Sequence, residues 1–137
     1  MRILDTNTVS MYRIGFPKLM TRLLAEPIGE ITVAIVTVEE QLTGWQTYLR
    51  RAKSDTEIAA AYQKLTDTVR TLADMHLITF SEAAIRRYRS LLSLKLNIGG
   101  MDLRIAAIAL EEDATVITRN LRDFERVPQL KCENWAD

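Results

Sequence analysis

Apolar residues in this chain fall either in short unbroken runs or at helical spacing, and the two kinds of segment alternate. Arg2-Ile3-Leu4-Asp5 reads as a short strand ending in an acid. From Thr6 the pattern fits a helix as far as the break at Gly15-Phe16-Pro17. A second short helix fits residues 18–25 and is ended by Pro27 and Gly29. Residues 31–36, Ile-Thr-Val-Ala-Ile-Val, are mostly β-branched and nearly continuous in apolar character, as expected of a strand covered on both faces within a parallel sheet.

Thr37 is expected to open the next helix, which runs to about residue 52; Thr37-Val38-Glu39-Glu40 matches a capping box. Ser54 with Glu57 three residues on marks another helix start. Behind it Ile58, Tyr62, Leu65, Val69 and Leu72 recur at spacings of four and three, an amphipathic pattern. The two segments form a helical hairpin, whose second helix is expected to contribute to a protein interface. Residues 76–80 read as a third strand and Ser81 as the cap of the following helix. Residues 97–101 form a loop, 102–112 an Ala-rich helix, 115–118 a fourth strand, 119–124 a turn or short helix, and 130–133 a fifth, edge strand. This alternation predicts one α/β domain over residues 1–137, a three-layer α/β/α sandwich around a mostly parallel sheet of four or five strands. There is no internal repeat, low-complexity stretch or linker.

Composition changes the picture mainly by exclusion. Of 137 residues, 47% are hydrophobic and 26% charged, which is ordinary for a globular protein. The formal net charge is zero, 18 basic against 18 acidic residues, which argues against coating nucleic acid by bulk attraction. A lone Cys132 excludes an internal disulfide and a Cys-rich zinc site, and a lone His76 excludes a two-His metal motif. Both are expected to pack as strand residues. An acid at position 5 interrupts any leader-like apolar core, so the expected compartment is the cytoplasm.

In open parallel sheets, sites form at the carboxyl ends of the strands. There the sequence places Asp5, Thr6 and Asn7, then Thr37, Glu39 and Glu40, then Asp102 at the start of the Ala-rich helix, then Thr118, Asn120 and Asp123. Singly, each acid has a plain explanation: Asp5 and Asp102 as helix caps, Glu40 as half of a capping box, Asp123 as a surface charge. Together they conflict. Two carboxylates at about 5 Å and an effective dielectric near 20 repel by roughly 3 kcal/mol. Several such pairs would consume much of a typical stability of about 5–15 kcal/mol. A divalent cation removes the conflict, and oxygen ligands without His or Cys suit magnesium or manganese. Such an ion points to phosphoryl chemistry that needs no histidine base.

These residues resemble the motifs of PIN-domain nucleases, most closely VapC-type toxins, over essentially the whole length. Ile3-Leu4-Asp5-Thr6-Asn7 is similar to the opening motif. Val36-Thr37-Val38-Glu39-Glu40 with Gly44 is similar to the second, and the resemblance selects Glu40 over Glu39 as the metal-site acid. Residues 98–102, Ile-Gly-Gly-Met-Asp, with Ile105-Ala106-Ala107 and Leu110, are similar to the third. Val116-Ile117-Thr118-Arg119-Asn120, with Asp123-Phe124 and Val127-Pro128, is similar to the fourth. The resemblance implies a metal-dependent endoribonuclease toxin acting on structured RNA such as tRNA or rRNA. It further implies a homodimer and inhibition by a VapB-like antitoxin. Two positions depart from the family pattern: Arg119, where many relatives carry Asn, and Asn120, where other PIN proteins carry Asp.

The expected catalytic acids are therefore Asp5, Glu40, Asp102 and Asp123, with Asp5, Glu40 and Asp102 as metal ligands for Mg2+ or Mn2+. Thr6, Asn7, Thr118 and Asn120 support them, and Arg104 and Arg119 are expected to contact RNA phosphates. Arg86, Arg87, Arg89 and Lys95 read as a solvated charged face. Trp45, Tyr48 and Tyr62 read as core or partner-binding residues. Two rival readings carry less weight. A phosphatase with Asp5 as nucleophile would want a second acid where Asn7 stands. A PIN-like scaffold that binds RNA or protein without cutting is favoured only by the neutral Asn120. A dinucleotide-binding domain is disfavoured because no Gly-rich loop follows the first strand.

Overall fold

A computed structural model describes residues 1–27 and 29–137. The elements run β1 (Arg2–Leu4), α1 (Thr6–Arg13), α2 (Pro17–Leu24), β2 (Ile31–Ala34), α3 (Ile35–Arg51), α4 (Asp55–Ala73), β3 (His76–Ile78), α5 (Glu82–Ser93), α6 (Gly100–Glu111), β4 (Thr115–Ile117), α7 (Leu121–Phe124) and β5 (Lys131–Glu133). The strands form one five-stranded sheet in the order β3-β2-β1-β4-β5. Every pairing is parallel, so the expected fold class holds.

The sheet splits the core by the two-residue alternation of its strands. Ile3, Ala34 and Val116 face one hydrophobic layer, built with α5, α6 and the start of α3. Leu4, Val33 and Ile117 face the other, with Val9, Met11, Leu19, Leu72 and Trp135. Helix α6 is buried almost all round from Leu103 to Ala109, and its alanines let it pack tightly against α5. This is why its sequence reads as Ala-rich and apolar rather than amphipathic.

Two expectations need correction. First, β2 ends at Ala34, and Ile35 and Val36 already belong to α3, whose N-cap is Ala34 without a side-chain cap bond. Thr37 therefore does not cap the helix. It lies fully buried inside the first turn and accepts a long hydrogen bond from the Thr6 hydroxyl at 3.4 Å. Tertiary packing overrides the strand preference of the two β-branched residues. Second, α6 begins at Gly100 with Gly99 as N-cap, so Asp102 sits in the first turn and does not cap it.

The apolar stripe of α4 enters the core only at its C-terminal end, through Leu72. Ile58, Tyr62 and Val69 are exposed, and the buried face is Ala61, Thr68 and Leu72. The start of α4 is as expected: Ser54 accepts from the Glu57 amide at 3.1 Å. The cap of α5 likewise holds, Ser81 accepting from the Ala84 amide at 3.1 Å. His76 and Cys132 lie on strands as expected, although His76 is exposed.

Candidate active site

Strands β2 and β3 lie on one side of β1, and β4 and β5 on the other. The chain thus reverses direction across the sheet between β1 and β4, and a crevice opens at their carboxyl ends. Asp5 follows β1 directly. It is 3% exposed and is the N-cap of α1, its Oδ1 accepting from the Thr8 amide at 2.9 Å. The capping explanation for Asp5 is therefore true, but it uses one oxygen only. The other, Oδ2, accepts a 2.6 Å hydrogen bond from the Thr118 hydroxyl, just past β4. That hydroxyl in turn accepts from the Asn120 amide at 2.8 Å. Thr8 ties the same corner down by donating its hydroxyl to the Ile117 carbonyl at 3.0 Å. Four polar groups from two neighbouring strand ends thus fix one buried carboxylate.

Glu40 reaches the crevice from the second turn of α3, and Asp102 from the first turn of α6. With Asp5, Thr6, Asn7 and Asn120, and with Gly99 to Met101 as a backbone rim, they line a cavity of about 350 Å³. Glu39 is exposed and does not line it, so the geometry agrees with the choice of Glu40. Burial is the largest influence on Asp102, followed by the charges of Asp5, Glu40 and Asp123; together they push its carboxyl up from 3.8 to about 6, against a smaller lowering by the Asn120 amide. Asp102 thus reports that the four acids share one electrostatic neighbourhood, as the strand-end reading expected. Asp123 stands at its border: it accepts from Asn120 Nδ2 at 2.9 Å and pairs with Arg126 at 3.3 Å. Among the described residues, no three Asp, Glu, His or Cys side chains converge tightly enough to form an assembled metal centre. The acids border the cavity rather than close on one point.

The basic residues divide. Arg104 stacks over the Tyr88 ring at 4.8 Å and lines a cavity that shares Glu40 and Met101 with the acid site. Arg119 points elsewhere, pairing with Asp137 at 2.8 Å over the Phe16 ring. Arg86 and Arg87 pair with Glu82 and Glu111 on the surface, as a solvated face would. Tyr48 and Tyr62 are 45% and 56% exposed and Trp45 is half-buried, so of the two expected roles the core one does not hold for the tyrosines. Trp45 and Tyr48, with Arg13 and Gln41, line a further cavity against Glu40 that the sequence reading missed. A signal was present: Glu40, Gly44 and Tyr48 recur every four residues, which puts them on one helical face.

No family model matches the chain. Among curated proteins, Ribonuclease VapC2 of Rickettsia felis is 41% identical over 68 residues, covering 47% of this chain and 51% of that protein. Ribonuclease VapC2 of Haemophilus influenzae is 50% identical over 39 residues, covering 28% of this chain and 30% of that protein. The chain thus spans about half the length of the first of these relatives and less of the second. The solved structures extend the match. A chain in the crystal structure of VapBC2 from Rickettsia felis, bound to a DNA fragment from their promoter, superposes with a TM-score of 0.77 at 27% identity, over 98% of both chains. A chain of VapBC-1 from nontypeable Haemophilus influenzae superposes with a TM-score of 0.76 at 20% identity, over 99% of this chain and 98% of that one. The resemblance to VapC-type PIN-domain toxins carried by the four sequence motifs therefore holds, in sequence over part of the chain and in fold over nearly all of it.

Proposed function

We propose that the chain is a toxin endoribonuclease that hydrolyses RNA phosphodiester bonds, and that a VapB-like antitoxin restrains it. The observation that carries this reading is the convergence of Asp5, Glu40 and Asp102, from three separate segments, on one cavity at the carboxyl edge of a parallel sheet. The similarity to proteins named ribonucleases, and to toxins solved in complexes with their antitoxins, supports the same activity and partner.

The donor set suits magnesium, with manganese as a substitute. All three acids offer hard oxygens, and their open arrangement fits an ion that keeps several of its own waters. A divalent ion bound there would activate a water and neutralise charge on the phosphate and the leaving oxygen. The protein's own contribution is positional. Thr118 and the Thr8 amide hold Asp5 rigid, while Asp5 keeps free lone pairs for a ligand. Asn120 keeps Asp123 beside the site without adding a charge. Arg104, which lines the neighbouring cavity, would meet a phosphate of the bound strand. The exposed apolar stripe of α4 supports a protein interface, in a homodimer or with the antitoxin. The compartment is expected to be the cytoplasm.

The test is incubation of purified protein with pooled structured RNA, in magnesium, in manganese and in chelator, beside Asp5→Ala. Cuts that need the metal and vanish in Asp5→Ala are expected. Their absence from folded, antitoxin-free protein across several RNA classes would shift the assignment to the non-cutting scaffold that the neutral Asn120 favours, and Asn120→Asp would then be the variant to examine.

A further inference from the structure

Next to the acid cavity, and sharing Glu40 with it, lies a cavity of about 290 Å³ lined by Ser10, Arg13, Gln41, Gly44, Trp45 and Tyr48. Its aromatic wall is Trp45 and Tyr48, packed edge to face at 5.7 Å. Two cations stand over that wall: Arg13 lies 5.5 Å from the Trp45 ring, and Lys64 lies 5.9 Å from Trp45 and 5.5 Å from Tyr48. Neither is in a salt bridge among the described residues. The buried Nε of Arg13 has no hydrogen-bond partner among the described residues. Gln41 donates to the Ser10 hydroxyl at 3.1 Å, which leaves its amide oxygen and a second N–H free.

Gly44 makes the case specific. It sits inside α3, where glycine costs about 1 kcal/mol relative to alanine. Its backbone does not call for glycine, and a Cβ there would meet nothing within 4 Å. No packing in the fold requires the missing side chain. Gly44 does border both this cavity and the one lined by Phe80 and Arg104, with Glu40 one turn away. Both of those cavities share Glu40 with the acid cavity, and a side chain at position 44 would intrude where the two meet.

Aromatic faces interleaved with unpaired cations match the chemistry of an unpaired nucleotide, whose base stacks and whose phosphate needs a counter-charge. We propose that this cavity is a nucleobase subsite for single-stranded RNA. One unpaired base stacks on one ring of the Trp45–Tyr48 pair with the other ring at its edge, Arg13 and Lys64 hold the adjoining phosphate, and the strand crosses Gly44 to reach the acids. The subsite rests on the nuclease reading and adds to it the position of a base beside the cleaved bond.

The test is binding of a short, unstructured, labelled RNA by fluorescence anisotropy, in magnesium, with Asp5→Asn as the parent so that the RNA survives. Trp45→Ala and Tyr48→Ala should each raise Kd about tenfold. Gly44→Leu should raise it comparably while its Tm stays at or above the parent's, so lost binding cannot be lost folding. Replacing one nucleotide at a time with an abasic unit should find a position that weakens the parent but not Trp45→Ala. If all three variants bind within about twofold of the parent, the subsite is overturned, as it would be were the cavity reserved for a protein partner. If the parent itself binds no RNA, the nuclease reading falls and takes the subsite with it.

Discussion

The two walls of the acid cavity are built on opposite terms. On the β1–β4 wall, Asp5 is nearly inaccessible, and each of its oxygens accepts a short hydrogen bond from a group that is itself anchored. On the α6 wall, Asp102 is half-buried and faces the charges of Asp5, Glu40 and Asp123, with only the Asn120 amide to ease it. One carboxylate is stabilised by the fold and the other burdens it. The difference teaches that a site can be preorganised on one side and left short of positive charge on the other. The fold by itself holds Asp5 in place, while the repulsion around Asp102 is left uncompensated.

The largest effect should come from breaking the rigid side. Asp5→Ala removes a helix cap and a proposed metal ligand together, so cleavage should fall by about a thousandfold or more and stability by about 2–4 kcal/mol. Asp5→Asn should lose nearly as much cleavage but little stability, because asparagine also caps helices. Urea unfolding beside a cleavage assay separates the two losses. An Asp5→Asn protein with full activity would end the assignment of Asp5 as a metal ligand. Next comes Thr118→Val, which keeps the shape but strips Asp5 Oδ2 and the Asn120 amide of their shared partner. Leaving those groups unpaired should cost about 1–3 kcal/mol. Activity should also fall, and Thr118→Ser should restore both.

The asymmetry was only half legible in the sequence. The apolar runs Ile3-Leu4 and Val116-Ile117 mark two buried strands and Asp5 directly follows the first of them, whereas Asp102 opens the helix before the second and was brought to the same edge by its motif. The bond from Thr118 to Asp5 spans 113 positions in the chain, and no local pattern encodes it. The start of α3 was misplaced because Ile35 and Val36 are strand formers by intrinsic preference, and only tertiary packing puts them in a helix. The stripe of α4 was legible as apolar, but a pattern cannot say whether an apolar face meets its own core or another molecule. Trp45 was read as a core or partner-binding residue, and sequence alone did not show that it borders a cavity beside Glu40.

The α6 wall is tested by neutralising its acid. With no metal added, Asp102→Asn should be more stable than the parent at neutral pH, by about 1 kcal/mol once the half-exposed position is allowed for. The sign follows from linkage. Asp102 binds its proton more tightly in the fold, near pH 6, than in the unfolded chain. Its ionised form therefore costs stability above that pH, and the cost fades as pH falls through 6 toward 4. The gap between variant and parent should thus be widest at neutral pH and close on acidification. Magnesium should raise the Tm of the parent and much less that of Asp102→Asn. A gap that stays constant with pH would mean that Asp102 is not under the repulsion described.

The smallest expected effect separates the backbone of the α6 wall from its charge. Gly100 is the first residue of α6 and part of the cavity rim. Its backbone lies outside the left-handed region, so alanine is conformationally acceptable there. The added Cβ would come within 3.3 Å of Arg104 Nη1, the tip of a flexible side chain. Gly100→Ala should therefore gain roughly 0.5 kcal/mol by restricting the unfolded chain, provided that Arg104 swings aside. Arg104 now rests over Tyr88 and lines the cavity beside the acid site. If that resting place serves to present the guanidinium to a phosphate, the same variant should raise KM for RNA with kcat unchanged. A more stable protein with an unaltered KM would instead assign Arg104 to packing against Tyr88, leaving the charges of the α6 wall without a cationic counterweight.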